Sequence, residues 1–411
     1  MQVVYPRCAA LDLGKDVLVA AVRVQDAGGV SCECRTYGTT ANQLSTLRGW
    51  LISHGVTHVV MEATGSYWKC VWRALEGHFE LTLANPRQIR SLPGRKSDVK
   101  DARRIVDFHA HGLIQGSFVP PAEIDAVREL TRTRKQFVRE INRHIQRIQK
   151  ILDVANVKIT GLITDTLGVS GRAILKALIA GQTDPERLAA LAHPRLRASR
   201  VQLVEALQGQ PTEQQRSLLG MHLQLIETLE TSIAQLDDRI AQAVEPFREL
   251  VARLGLVPGL SDEVSIPALL GEIGVDMTKF PTPGNLISWA CLCSRNDESA
   301  GKVRSRRTLK GAVWIKTLMI QVAWTAVRTK NSYFRAQFYG LCRTTGDRRK
   351  AIVAVAASIL TVVYHMIREG TPYRDLGVNY FDERNRAGAA RRLVARLQTL
   401  GYNVQVTEAV A

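Results

Sequence analysis

A chain of 411 residues with 45% hydrophobic side chains is too long for one small core and too apolar to be disordered, so two or three globular domains are expected. Its formal charge of +17, from 55 Lys and Arg against 38 Asp and Glu, exceeds what solubility requires. Counterion release rewards such an excess when the partner is a polyanion, which puts nucleic acid ahead of a membrane surface. Seven cysteines, with the pairs Cys32-x-Cys34 and Cys291-x-Cys293, offer neither a disulfide framework nor C-x-x-C zinc spacing and read as reduced, cytosolic thiols. No basic-then-apolar signal segment is found at the N-terminus, and a cytoplasmic location is expected. The longest apolar stretch, Ala351 to Val363, falls short of the ~20 residues a bilayer requires and reads as a buried helix.

From the N-terminus to about residue 118, strand and helix signals alternate as in a mixed α/β domain. Strands are expected near Cys8 to Leu13, Val17 to Val24, Ser31 to Tyr37, Val56 to Met61 and Leu81 to Ala84. Helices are expected from Ala41 to His54, from Ser66 to Glu76, and in a third segment holding Asp98 and Asp101. A three-stranded hairpin start, a helix, then a strand ending in an acid is the ribonuclease-H-like order. It sets Asp12 within the first strand, Glu62 at the end of a neighbouring one, and Asp98 and Asp101 on one helix face. Hard divalent cations take such oxygen ligands, and a pair of ions about 3.5–4 Å apart can clamp the attacking and leaving oxygens of a phosphodiester. Asp16, Asp107 and Glu123 read as plain surface carboxylates, Tyr67 and Trp68 as core aromatics before base-stacking ones, and His109 as a helix residue before a ligand.

Pro120 and Pro121 mark a break. Beyond them Ile124 to Leu152 reads as a long amphipathic helix with a seam at Val138, Ile141, Ile145, Ile148 and Leu152. Another face carries Arg128, Arg132, Lys135, Arg139, Arg143, Arg147 and Lys150, a candidate rail for a nucleic-acid backbone. Short helices are expected from Thr164 to Gly209. A second heptad pattern, Ile226, Leu229, Ile233, Leu236 and Ile240, starts near Leu219 and continues to Leu254. Its partner is either the first long helix, as an antiparallel hairpin, or another copy of the chain.

Near Gly255 a further domain is expected to begin. Leu-Val-Pro-Gly-Leu-Ser, followed by Ile266 to Ile273, resembles a helix-hairpin-helix whose Gly turn could admit a phosphate, although a plain connection reads equally well. Helices are expected at Val313 to Arg328, Tyr333 to Cys342 and Arg348 to Arg368. The tail beyond Phe381, with Arg384, Arg386, Arg391, Arg392 and Arg396, is expected to order only on a partner. Between helical blocks, the stretch from Cys293 to Gly311 packs Arg295, Lys302, Arg304, Arg306, Arg307 and Lys310 around Ser299 and Ser305. A serine attacks a phosphate only when its proton is removed and the phosphate charge is neutralised, and basic side chains supply the second condition. A phosphate-gripping loop whose serines merely cap turns satisfies the same pattern.

Asp12 in Leu-Asp-Leu-Gly-Lys, Glu62 in Met-Glu-Ala-Thr-Gly-Ser-Tyr, Asn85-Pro-Arg-Gln-Ile-Arg, Lys96-Ser-Asp-Val-Lys-Asp-Ala and Glu298-Ser-Ala-Gly-Lys together resemble the IS-one-ten family of insertion-sequence transposases, which includes Piv-type invertases. The similarity runs from about residue 6 to 370. It implies an α/β plus all-α architecture: a RuvC-like domain over 1–118, a coiled-coil helical region over 119–254, a helical transposase domain over 255–375 and a basic tail over 376–411. It further implies a recombinase guided by a noncoding bridge RNA and acting on donor and target duplex DNA as a dimer or tetramer. Asp12, Glu62, Asp98 and Asp101 would be its metal ligands for Mg²⁺, with Mn²⁺ as a substitute. Ser299 would be the nucleophile, completed by the acids of another copy, with Ser305 as the fallback. Arg132, Lys135, Arg139, Arg143, Arg147, Lys302, Arg304, Arg306, Arg307 and Lys310 would contact nucleic acid. The sequence departs from the family pattern at Ala312, where Asn often stands. A RuvC-type Holliday-junction endonuclease would need the acids without a covalent serine, and a nucleic-acid-binding scaffold would need neither.

Overall fold

The computed structural model describes residues 2–62, 65–84, 98–294, 297–299, 301–305, 307–309 and 311–406. The chain divides into two compact units, Met1–Val119 and Pro120–Ala411, so the helical arm and the C-terminal helices belong to one unit.

In the first unit five strands form one mixed sheet: β1 (Arg7–Leu13), β2 (Val17–Asp26), β3 (Gly29–Gly38), β4 (His58–Glu62) and β5 (Glu80–Ala84). Their order is β3-β2-β1-β4-β5; the first three are antiparallel, and β1, β4 and β5 run parallel. Alternation along β1 sorts its residues between two faces. Ala9, Leu11 and Leu13 join Val59, Met61 and Leu83 in a core covered by α1 (Ala41–Ser53) and α2 (Trp68–Leu75). Cys8 and Ala10 join Val60 and Ala84 on the opposite face, under Ala102, Ile105, Val106 and Ala110 of α3 (Asp98–Ala110). The parallel strands require crossovers, and α2 supplies the one between β4 and β5.

The second unit opens with α4 (Ala122–Val154), whose partner is α8 (Glu213–Val244). The two are antiparallel: Arg134 pairs with Asp237 at one level and His144 meets His222 at another. Ile148 and Leu152 share a core with Leu219, Leu223 and Ile226, capped by α5 (Val169–Ile179), α6 (Pro185–Ala190) and α7 (Arg200–Ala206). The antiparallel hairpin within the chain that the heptads allow is therefore formed.

The remaining helices are α9 (Arg248–Leu254), α10 (Ser265–Ile273), α11 (Pro283–Trp289), α12 (Val313–Ala326), α13 (Tyr333–Thr345), α14 (Arg348–Glu369), α15 (Tyr380–Arg384) and α16 (Arg386–Thr399). By length and composition α14 could cross a bilayer, yet Ala351, Ile352, Val355, Ile359, Leu360 and Val363 are buried and the helix packs on α11, α12 and α13, as a core helix does. The turn before α10 is no phosphate cradle. Gly259, at φ +90°, lies so close to α12 that a Cβ would stand 2.4 Å from the Val322 carbonyl oxygen and 2.8 Å from the Ala326 nitrogen. The tail also departs from expectation: residues 386–399 are helical without a partner. Ala and Arg favour helix, the Asn385 side chain caps the first turn by accepting from Gly388 N, and Phe381 and Tyr380 anchor the preceding helix on Tyr333.

Candidate active site and nucleic-acid interface

The backbone brings the four acidic positions to one end of the sheet. The β1–β4 register runs from Cys8↔His58 to Leu11↔Met61, and its next step sets Asp12 beside Glu62. Residues paired in a parallel register share a face, and even-numbered positions of β1 and β4 belong to the face under α3. The thiol of Cys8 donates to the Val106 carbonyl at 3.9 Å, and Tyr5 N donates to the Ala110 carbonyl at 3.0 Å, so α3 runs antiparallel to β1. From Cys8 to Asp12 the strand climbs about 13 Å. From Val106 back to Asp98 the helix covers about 12 Å in the same direction. The first turn of α3, holding Asp98 and Asp101, therefore reaches the level of Asp12 and Glu62. Positions 98 and 101 also continue the 3,4-spaced stripe of Ala102, Ile105 and Val106 that faces the sheet. Asp12 and Glu62 are both half-buried.

At the other end of α3, His109 is 2% exposed beside Tyr5 and His58, and neither ring nitrogen has a hydrogen-bond partner among the described residues. Burial first and His58 second push its pKa down to about 4. Buried Arg23 pairs with Asp107 at 3.2 Å, so that carboxylate holds α3 to β2. Tyr67 is exposed, while Trp68 packs on the core and makes an edge contact with Trp72.

The serine segment is a two-stranded hairpin, β6 (Asp297–Ser299) and β7 (Lys302–Ser305), extended by a bridge between Ser294 and Thr308. Ser299 pairs with Lys302 as the last rung before the turn, and Gly301 takes φ +74°, which a turn of this length favours glycine to adopt. Ser299 thus stands at the hairpin tip. Ser305, opposite Asp297 near its base, accepts a hydrogen bond from Arg307 N at 3.3 Å. The hairpin is tied to α12 by Lys316, which donates to Thr308 Oγ1 at 2.6 Å and to the Leu309 carbonyl at 3.1 Å. Ala312, the N-cap of α12, lies in the left-handed region (φ 42°, ψ 43°) without a side-chain cap, a place where Asn is both tolerated and able to cap. Arg304 lies on β7, Lys302 and Arg307 are exposed, and Arg306 and Lys310 lie outside the described residues, as do Arg295, the Asn85-Pro-Arg-Gln-Ile-Arg run, Lys96 and Ser97.

Residues 9–157 match a family model for the DEDD transposase domain of the IS110 type, described as "Transposase", and residues 251–339 match one described as "Transposase IS116/IS110/IS902 family". The chain belongs to the IS110 family of transposases. No curated protein sequence matches it. As an IS110 transposase it acts on DNA, cleaving and transferring strands. The four acids fall inside the first matched segment and Ser299 inside the second, while everything after residue 339 lies beyond both.

The basic stripe of this transposase divides along α4. Its first part is internal: Arg128, buried, donates to the carbonyls of Gly271 and Glu272 at 2.7 and 2.8 Å, where they end α10, and burial pushes its pKa down. Arg132 makes a two-pronged pair with Glu272, Nε to Oε1 at 2.7 Å and Nη2 to Oε2 at 2.8 Å. Lys135 donates to Gln321 at 3.0 Å, and burial, then Arg139, hold its pKa down. The expected rail is therefore shorter, and Arg139, Arg143, Arg147 and Lys150 form its exposed part. Sequence reasoning missed Trp314, at the start of α12, whose ring lies under Arg132 and Arg139 at 5.3 and 5.0 Å. A tryptophan opening a helix gives no one-dimensional sign of which arginines it meets; nor does Glu272, whose side chain is only 6% exposed.

Proposed function

We propose that the transposase is an RNA-guided DNA recombinase that moves its own element through a covalent serine–DNA intermediate, on an RNase-H-like carboxylate site and as a homo-oligomer. The observation that carries this reading is the register that aligns Asp12 with Glu62 on the face and at the level where α3 begins. The sheet order, with β2 antiparallel beside central β1, is the arrangement an RNase-H-like domain uses. Two carboxylates on one face, with two more acidic positions at a helix start, make an all-oxygen donor set suited to Mg²⁺, or to Mn²⁺ in its place. Asp12, Glu62, Asp98 and Asp101 would hold the ion, which supplies charge neutralisation at the phosphate and a lowered pKa for the attacking hydroxyl.

Ser299, at the tip of the hairpin, would attack the phosphorus. The Ser Oγ–P bond forms as a P–O bond to deoxyribose breaks, the serine proton passes to a base, and the departing sugar oxygen takes up a proton. Lys302, Arg304 and Arg307 would neutralise the phosphate meanwhile, with Arg306 and Lys310 in the same basic segment. Guide RNA would supply the sequence by base pairing, while the exposed arginines of α4 hold the backbone.

The test is a denaturing gel of the transposase incubated with its element-end DNA and guide RNA. A covalent protein–DNA adduct is expected, lost in Ser299→Ala and in Asp12→Ala. An adduct that persists in Ser299→Ala but vanishes in Ser305→Ala reassigns the nucleophile. Cleavage without any adduct identifies a RuvC-type junction endonuclease, and no cleavage at all identifies a binding scaffold.

A further inference from the structure

Where the second matched segment ends, α13, α15 and α16 enclose a groove of about 690 Å³ that the reading above does not use. One wall is a ladder on α13: Arg335, Tyr339 and Arg343, four residues apart and so on one helix face at steps of about 6 Å. The Arg335 guanidinium lies 5.6 Å from the centre of the Tyr339 ring, and Tyr339 is 50% exposed. Next to it Gly340 leaves open space where any side chain would stand. The opposite wall carries Phe381 and Arg392, whose guanidinium meets Asp382 at 3.1 Å. Arg335 also reaches the Arg328 carbonyl at 3.5 Å, whereas Arg343 has no ion pair among the described residues.

We propose that this groove binds a single-stranded nucleotide segment, one base stacked on Tyr339 and the phosphates on either side of it gripped by Arg335 and Arg343. An exposed ring with a cation one helical turn above and another one turn below fits the alternation of base and phosphate along a strand. The groove's one carboxylate among these groups is already paired, so the cations are left for an anionic ligand. A volume of this size admits a nucleotide, and the exposed Arg348, Arg349 and Lys350 that open α14 extend the positive surface in the direction the chain continues. An acidic peptide would satisfy the arginines but not the half-exposed aromatic ring between them. The inference shares with the proposed function only the choice of nucleic acid as partner.

Its test is run on the full chain carrying Asp12→Ala, so that binding is read without strand cleavage. Single-stranded oligonucleotides containing 5-iodouracil, in DNA and in RNA form, are photocrosslinked and the adducts mapped by peptide mass spectrometry. An adduct on Tyr339 is expected from at least one form, and whichever form gives it identifies the occupant as DNA or RNA. Arg335→Gln with Arg343→Gln should lower its yield by roughly tenfold, while Tyr339→Phe should retain affinity in a competition assay. Tyr339→Ala should weaken single-strand binding by roughly 5- to 150-fold at that site. Adducts from neither form within residues 331–344 or 378–392 would overturn the proposal, as would protection of the groove by polyglutamate alone. A normal Tyr339 adduct in a protein whose Ser299 forms no covalent link would sink the proposed chemistry and leave this groove standing.

Discussion

Asp12 and Glu62 are legible in the sequence because strands advertise themselves: a single acid set within or at the end of an apolar run stands out, and the pleat fixes the face. The level at which α3 meets them is not, because a contact such as Cys8 to Val106 joins residues 98 positions apart. His109 gives this scale a measurable consequence. Its imidazole is neutral in the folded protein down to about pH 4, whereas an unfolded chain protonates it near pH 6.5. Between those values the unfolded state binds more protons, so stability of the first unit falls as pH drops through the window, by about 3 kcal/mol at most. Urea midpoints measured from pH 7 to pH 4 should therefore decline more steeply in the native sequence than in His109→Phe. Equal slopes would mean that the ring is protonated without cost.

Helix bounds are legible in the sequence, since Pro, Gly and the 3.6-residue period mark where helices start and stop. What local pattern left undecided was partnership. The Pro-Gly turn at 258–259 fits a phosphate loop and a plain connection equally well, and only the approach of α12 decides. Gly259→Ala places a methyl against the Val322 carbonyl and forces a side chain into φ +90°, so a loss of about 2–4 kcal/mol is expected. Thermal melting checks it; an unchanged midpoint would show that the turn can move away from α12. The basic tail misled for a related reason. Its charge suggested disorder, but Ala387, Ala389, Ala390 and Ala395 favour helix, and its aromatic anchor at Tyr333 lies far off in sequence.

At the scale of the whole molecule, a charge of +17 announces a polyanion without saying which arginines touch it. The structure separates them by what else they hold. Replacing exposed Arg139, Arg143 and Arg147 together by Gln should reduce the slope of log affinity against log salt for duplex DNA by roughly 2–3 while leaving the fold intact. Arg132→Gln should behave otherwise, costing about 3 kcal/mol of stability by stranding the Glu272 carboxylate. Filter-binding titrations from low to high salt separate the two, and an unaltered slope in the triple variant would remove α4 from the interface.

The pairing of α4 with α8 constrains how any assembly can be engineered. The zipper is fastened within one chain, so polar substitutions at Ile148, Leu152, Leu219, Leu223 or Ile226 are expected to unfold the arm. The seam between α4 and α8 is already occupied within the chain.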